Sequence, residues 1–182
     1  MKSFLLIVLI SIASMTTTHA QTYIAKNGKI SFFSKTSKEN IDALNIPVVS
    51  VLDSKTGIIQ FSVQISGFLF KKALMQEHFN EDYMESGKYP KASFKGTIAD
   101  LSKVNFTKDG NYAIQVTGNL AVHGVTNKVT VPGTISIAGG KVNAAATFNI
   151  LVADYKIDIP KMVQNNISKS IEIKLGCNYL PK

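Results

Sequence analysis

The sequence predicts an all-β protein: an up-and-down antiparallel β-barrel of about eight strands with one short helix. Three observations carry this. Apolar and polar residues alternate with period two over long runs, as in strands that turn one face to a core. Tight-turn signals join consecutive runs, at Lys55-Thr56-Gly57, Asp109-Gly110 and Gly139-Gly140. One stretch, residues 74–94, breaks the alternation and spaces its apolar residues like a helix.

The elements follow in order. Lys29 to Lys35 reads as a first strand, with Ile30, Phe32 and Ser34 on one side and Phe33 on the other. Asn40 to Asn45 shows no clear period and suggests a turn of helix. Pro47 to Leu52 and Ile58 to Ile65 form a hairpin, the second run alternating through Ile59, Phe61, Val63 and Ile65. In the helical stretch, Leu74 and His78 are four residues apart, as are Met75, Phe79 and Tyr83. Glu77, Glu81, Asp82 and Glu85 make it acidic within a basic chain. It stops at Gly87 and at the extended dipeptide Tyr89-Pro90. Ala92 to Leu101 is a strand. The cleanest strand runs from Tyr112 to Val122. Val129 to Ile137 follows, interrupted by Pro132 and Gly133; Val142 to Ile150 alternates again, and Ile171 to Tyr179 closes the chain.

Several of these runs reach ten residues or more, against a typical strand of ~5–6. Long, hairpin-linked strands favour a closed barrel, whose interior holds either packed side chains or one ligand. Gly118, Ala144 and Ala146 share the apolar face with bulky residues, which points to a cavity. Small residues facing large ones across a packed core would read the same way. The helix is accordingly either a plug on a core or one wall of a ligand cavity.

The chain begins like an exported protein. Lys2 precedes an apolar run from Phe4 to Ile12, and Thr18-His19-Ala20 is a small-residue cleavage site. The run is shorter than the ~20 residues of a membrane span. Residues 1–20 therefore read as a signal peptide cleaved after Ala20, and 21–182 as one domain in the periplasm or outside the cell. The formal charge is +8, and every basic residue is Lys. Without the bidentate Arg fork, specific nucleic-acid recognition is not expected. Weak contact with an anionic membrane surface fits better, and so does a lysine surface that only blunts strand edges. Cys177, the one cysteine, falls in phase with Ile171, Ile173 and Leu175 and reads as a small buried hydrophobe.

Catalytic motifs are missing from the sequence. His78 and His123, the two histidines beyond the leader, stand in no HxH, HxxxH or HExxH spacing. There is no GxSxG elbow. His123-Gly124-Val125-Thr126 lies between two strands, where His123 either caps the turn or meets a polar headgroup at a barrel mouth. His78 is either a satisfied core residue or a donor on a cavity wall.

Several segments together resemble the YceI-like family. They are Gln76-Glu77-His78-Phe79, Tyr89-Pro90-Lys91-Ala92-Ser93-Phe94, Gly118-Asn119-Leu120 and His123-Gly124-Val125-Thr126. Phe148 and Asp154-Tyr155-Lys156-Ile157 fit the same pattern. The resemblance implies an exported, lipocalin-like barrel that holds a long isoprenoid or similar lipid, quinone-like molecules included, in an interior tunnel. Carried over by position, the lining would include Phe68, Phe70, Leu74, Met75, Phe79, Tyr83, Tyr89 and Phe94, with His78 and His123 as polar members. The sequence departs from the family at Asn40–Asn45, which lacks the usual glycine pattern. It departs again at Asn127, where the family often has Lys. The expected activity is noncatalytic binding or carriage of a long-chain apolar lipid by a monomer or homodimer, without a cofactor or metal. The contrasting expectation is a structural or stress-response interaction protein whose barrel is packed solid.

Overall fold

A computed structural model describes residues 21–182; the predicted signal peptide lies outside the described residues. The alternating runs become nine antiparallel strands: β1 Thr22–Lys35, β2 Asn40–Asp53, β3 Ile58–Gln64, β4 Phe68–Phe70, β5 Lys91–Ile98, β6 Gly110–Val122, β7 Val125–Ala138, β8 Lys141–Leu151 and β9 Ser170–Pro181. Eight of them follow one another around the wall, and the pairing of β1 with both β9 and β2 closes it. The three-residue β4 lies outside this circuit, paired to the first half of β2. Closure gives each of the eight wall strands a paired neighbour on both sides over part of its length. The helix α1 spans Ala73–His78 and continues as a π-helical turn through Phe79–Tyr83.

Three stretches differ from the sequence reading. One is Asp109-Gly110, which is not a tight hairpin turn but the end of a connection from β5 that carries a 3-10 turn at Leu101–Lys103. Asn40–Asn45 is not a helical turn but the start of β2. Its alternation is disguised because Asn45 takes an inward position and apolar Leu44 and Ile46 face solvent. The Asn45 amide is buried yet satisfied, donating to the Gln64 carbonyl at 2.6 Å. The first strand also begins earlier than expected, at Thr22, and bulges around Gly28 break its period. A side chain at Gly28 would meet the Cys177 sulfur.

Pro132 is tolerated inside β7 for a specific reason. β8 pairs with β7 only from Gly133 onward, so beside Pro132 no neighbour on that side waits for an N–H. The 3-10 turn at Val152–Tyr155 packs against β7 instead, and Asn127 donates to the Asp154 carbonyl at 2.7 Å.

Inward residues divide the barrel into two ends. At the end where the described residues begin and finish, Tyr23, Leu52, Ile59, Ile98, Ile135, Val142, Cys177 and Tyr179 form one dense cluster. Here the Tyr179 hydroxyl donates to Ser50 Oγ at 2.6 Å, and Ser50 donates on to the Gln60 carbonyl. Desolvation pushes the Cys177 thiol up to about 11. At the other end Val63, Ile65, Phe68, Met84 and Val122 line the wall, and the interior there is hollow.

Candidate functional site: an apolar cavity under a helical lid

The hollow end encloses a cavity of about 360 Å³, within the usual range for small-molecule sites. Its floor is set by Ile114, Val116 and Val131, directly above the packed end. Alternation supplies the walls. Ile30 and Phe32 come from β1, Phe61 and Val63 from β3, Leu120 and Val122 from β6, and Phe148 and Ile150 from β8. Ala144 and Ala146 share the inward face of β8 and leave the space that larger side chains would fill. The roof has two parts, the α1–π segment and the long connection after β8.

Aromatic packing fixes the lid. Phe79 lies 5.4 Å from Phe32, 5.6 Å from Phe68 and 5.0 Å from Phe70, so one helix side chain anchors on three strand side chains. The amide of Gln76 reinforces this by accepting the Phe70 N–H at 3.2 Å. Polar groups on the wall are few: Ser34, Glu39, His78, Ser93 and Asn166. Ser34 already accepts the Ser168 N–H at 2.8 Å. His78 sits half-exposed at the rim, its Nδ1 2.7 Å from Asp82. Burial, with the Asp82 charge beside it, holds the Tyr83 hydroxyl above its ordinary range. No group of three or more His, Cys, Asp or Glu suited to a metal ion occurs among the described residues.

Of the residues expected to line a cavity, Phe68, Phe70, Met75, His78, Phe79, Tyr83 and Phe94 stand on its wall. Leu74, Tyr89 and His123 do not. Leu74 is 62% exposed: it lies in the first turn of α1, about 100° round the helix from Met75, and projects outward. Tyr89 and His123 instead pack on each other, with ring centroids 4.7 Å apart. Gly118 is not part of the wall either. It faces Gly96 across the β5–β6 pair, and a Cβ there would collide with the backbone of Lys95 and Gly96.

The contact between Tyr89 and His123 belongs to a clasp outside the cavity. His123 and Gly124, both at positive φ, make the two-residue turn between β6 and β7. The turn aims the imidazole so that Nδ1 meets the Tyr155 carbonyl at 3.1 Å and Nε2 meets Glu85 at 2.8 Å. Both ring nitrogens thus face acceptors, and the contact with Glu85 is an ion pair when the ring carries both protons. The Tyr89 ring lies against Gly124, where any side chain would displace it. Segments far apart in the chain therefore meet at one point: the end of the lid, the β6–β7 turn and the turn after β8.

The wall also holds residues outside the expected set. Phe32 was legible from the alternation of the first strand, which places it beside Ile30 and Ser34. The connection after β8 was not. It supplies Ile157, Ile159, Val163 and Ile167 to the roof from backbone that belongs to neither a strand nor a helix.

Fold and cavity together define a closed antiparallel barrel, packed at one end and hollow under a helical lid at the other. The YceI-like domain family model matches residues 8–178, and the chain belongs to that family. A UPF0312 protein of Vibrio parahaemolyticus is 28% identical over 120 residues, which cover 62% of this chain and 57% of that relative's length. Among solved structures, a polyisoprenoid binding domain from Saccharophagus degradans, implicated in plant cell wall breakdown, aligns with a TM-score of 0.77 at 13% identity. It covers 90% of this chain and 100% of its own. BcnA of Burkholderia cenocepacia gives 0.69 at 18% identity, over 84% of this chain and 96% of its own. A YceI protein of Campylobacter jejuni gives 0.55 at 15%, over 100% and 99% respectively.

Proposed function

We propose that this protein binds or carries, without catalysis, a long-chain apolar lipid of isoprenoid or quinone-like character. The observation that carries the reading is the cavity of about 360 Å³, walled almost wholly by aliphatic and aromatic side chains. Each buried methylene contributes ~0.8 kcal/mol, so a chain of about ten or more carbons binds tightly without any specific polar contact. Such a site selects by length and width. Polar side chains on the wall are few beside the aliphatic and aromatic ones. That the Saccharophagus degradans neighbour is a polyisoprenoid binding domain supports the same ligand class.

The apolar leader and its cleavage site support work in the periplasm or outside the cell, where such a lipid would otherwise cross water. Cell fractionation with N-terminal sequencing tests this: a mature protein starting at Gln21 in the exported fraction is expected. Native mass spectrometry and solvent extraction of protein purified without detergent test the ligand. The expected result is a stoichiometric long-chain apolar molecule. Protein that is empty as purified, and whose melting temperature does not respond to added prenols or quinones, would sink the reading.

A further inference from the structure

The wall of the hollow half is not equally complete on every side. β7 and β8 are paired from Ala138 and Lys141 only as far as Gly133 and Ala146. Both strands run on past that point, β7 back to Val125 and β8 forward to Leu151, so their ladder opens into a fork. The neighbouring ladders do not open. β6 stays paired with β7 to the Val122–Val125 turn, and β9 stays paired with β8 to Leu151. Where β3 parts from β2, β4 pairs with β2 in its place. Among the described residues no strand fills the β7–β8 fork. Only the 3-10 turn Val152–Tyr155 reaches β7, at the far end, where Asn127 holds the Asp154 carbonyl.

The residues where the fork begins keep it open. Pro132 has no N–H with which to extend a ladder. Gly133, Ala144, Ala145 and Ala146 bring no bulk to close the gap. The deciding observation is which faces of the wall line the cavity. Successive residues of a strand point to opposite faces. Val131 and Ala146 point inward, whereas Pro132 and Ala145, the next residue on each strand, are exposed on the outer face. Yet all four line the same cavity. One cavity meets both faces of one wall only by passing through it. The nearest outward side chains on the diverging strands, Thr130 and Thr147, are uncharged, so an apolar chain crossing there strands no ion.

We infer that the β7–β8 fork is a side portal of the cavity, through which an apolar chain longer than the cavity passes out. The inference rests on the lipid-binding reading and deepens it, because it admits long linear prenyl chains to the ligand class. A volume of about 360 Å³ stands near the low end for small-molecule sites. The packed cluster blocks any extension along the barrel axis. A chain that outgrows the cavity therefore leaves sideways, where the wall has no ladder.

The test offers the mature protein a short prenol, farnesol, and a long one, solanesol, together, and reads the bound species by native mass spectrometry. Wild type should take up both. Ala145→Trp places a large side chain on the outer face, where it would not touch a cavity closed on that side. It should lower the ratio of solanesol to farnesol at least about tenfold, the equivalent of roughly two buried methylenes. Farnesol uptake should stay at the wild-type level, which also shows that the variant folds. Asn143→Trp, on the same face of β8 where that strand is still paired with β7 at Ser136, should keep the wild-type ratio. Alkylation by N-ethylmaleimide gives a second reading: solanesol, but not farnesol, should slow modification of Ala145→Cys several-fold, the native Cys177 being buried. The portal is overturned if solanesol is refused while farnesol binds, if Ala145→Trp keeps the wild-type ratio, or if solanesol leaves Ala145→Cys fully reactive. Uptake of neither prenol would overturn the lipid-binding reading and the portal with it, whereas uptake of farnesol alone overturns the portal and leaves that reading standing.

Discussion

At the scale of single residues, three side chains separate structural from ligand-facing roles. Phe79 touches Phe32, Phe68 and Phe70 on one side and the cavity on the other. Phe79→Ala should therefore cost ~1–3 kcal/mol in urea unfolding, less than the ~3–5 kcal/mol of a fully enclosed Phe, and should lower bound lipid as well. His123 is enclosed by Glu85, Tyr89 and the Tyr155 carbonyl and does not line the cavity. His123→Ala should cost ~1–3 kcal/mol by leaving these partners unmatched, while the identity of the bound lipid stays the same. Cys177 tests the packed end. Its thiol is raised from 9.0 to about 11 by burial. A raised pKa makes its contribution to stability complete below the unfolded value and lost as pH climbs through the folded one. Wild type should thus lose stability between about pH 9 and 11, and Cys177→Ala should lose less over the same interval, as chemical unfolding at stepped pH would show.

Elements explain why certain small residues are where they are. β5 and β6 cross in close contact at Gly96 and Gly118, and the Phe94 ring lies over Gly96 on its way to the cavity wall. Gly118→Ala should destabilise by ~1–3 kcal/mol, because its Cβ meets backbone and not a movable side-chain tip. Thermal unfolding of that variant beside Ala121→Ser, on the same strand, would show whether the cost is specific. The lid contrasts with the strands. Its α-helical part has six residues, none of them buried, and no side-chain N-cap. It is held at its far end by the His123–Glu85 clasp and in the middle by Phe79. Amides of residues 73–83 should exchange with deuterium well before those of β6 and β7, and faster still in Glu85→Gln.

For the whole molecule, the division into a packed end and a hollow end fixes capacity. Ala144 and Ala146 set the width of the cavity at β8. Ala146→Phe should occupy part of the 360 Å³ and shorten the longest lipid recovered, as mass spectrometry of the extract would report. Failure to change the length distribution would place the ligand away from β8. The same polarity puts the lid and the cavity at one end, and the first and last described residues at the other.

Much of this was legible in the residues. Period-two alternation from Tyr112 to Val122 and from Val142 to Ile150 names the inward side chains without a structure, since a strand sends every second residue to one face. Gly139-Gly140 marks a hairpin because φ is positive at both glycines and tight turns demand it, whereas Asp109-Gly110 signals one in the sequence but in the structure closes the longer connection from β5 and opens β6. Helical spacing likewise places Met75, Phe79 and Tyr83 together. Periodicity could not supply what depends on distant pairing. Asn45 breaks the apolar pattern of β2 and is satisfied only by a carbonyl nineteen positions away. The residues 157–167 become a roof only because β8 and β9 bring their ends over the mouth. His123 and Tyr89 form a clasp and not a wall because a turn at positive φ swings the ring outward to Glu85. The sequence by itself determined a strand-built barrel with an aromatic helix. Tertiary structure alone decided that one half is full and the other empty, because inward-facing side chains fill space or leave it according to what stands opposite.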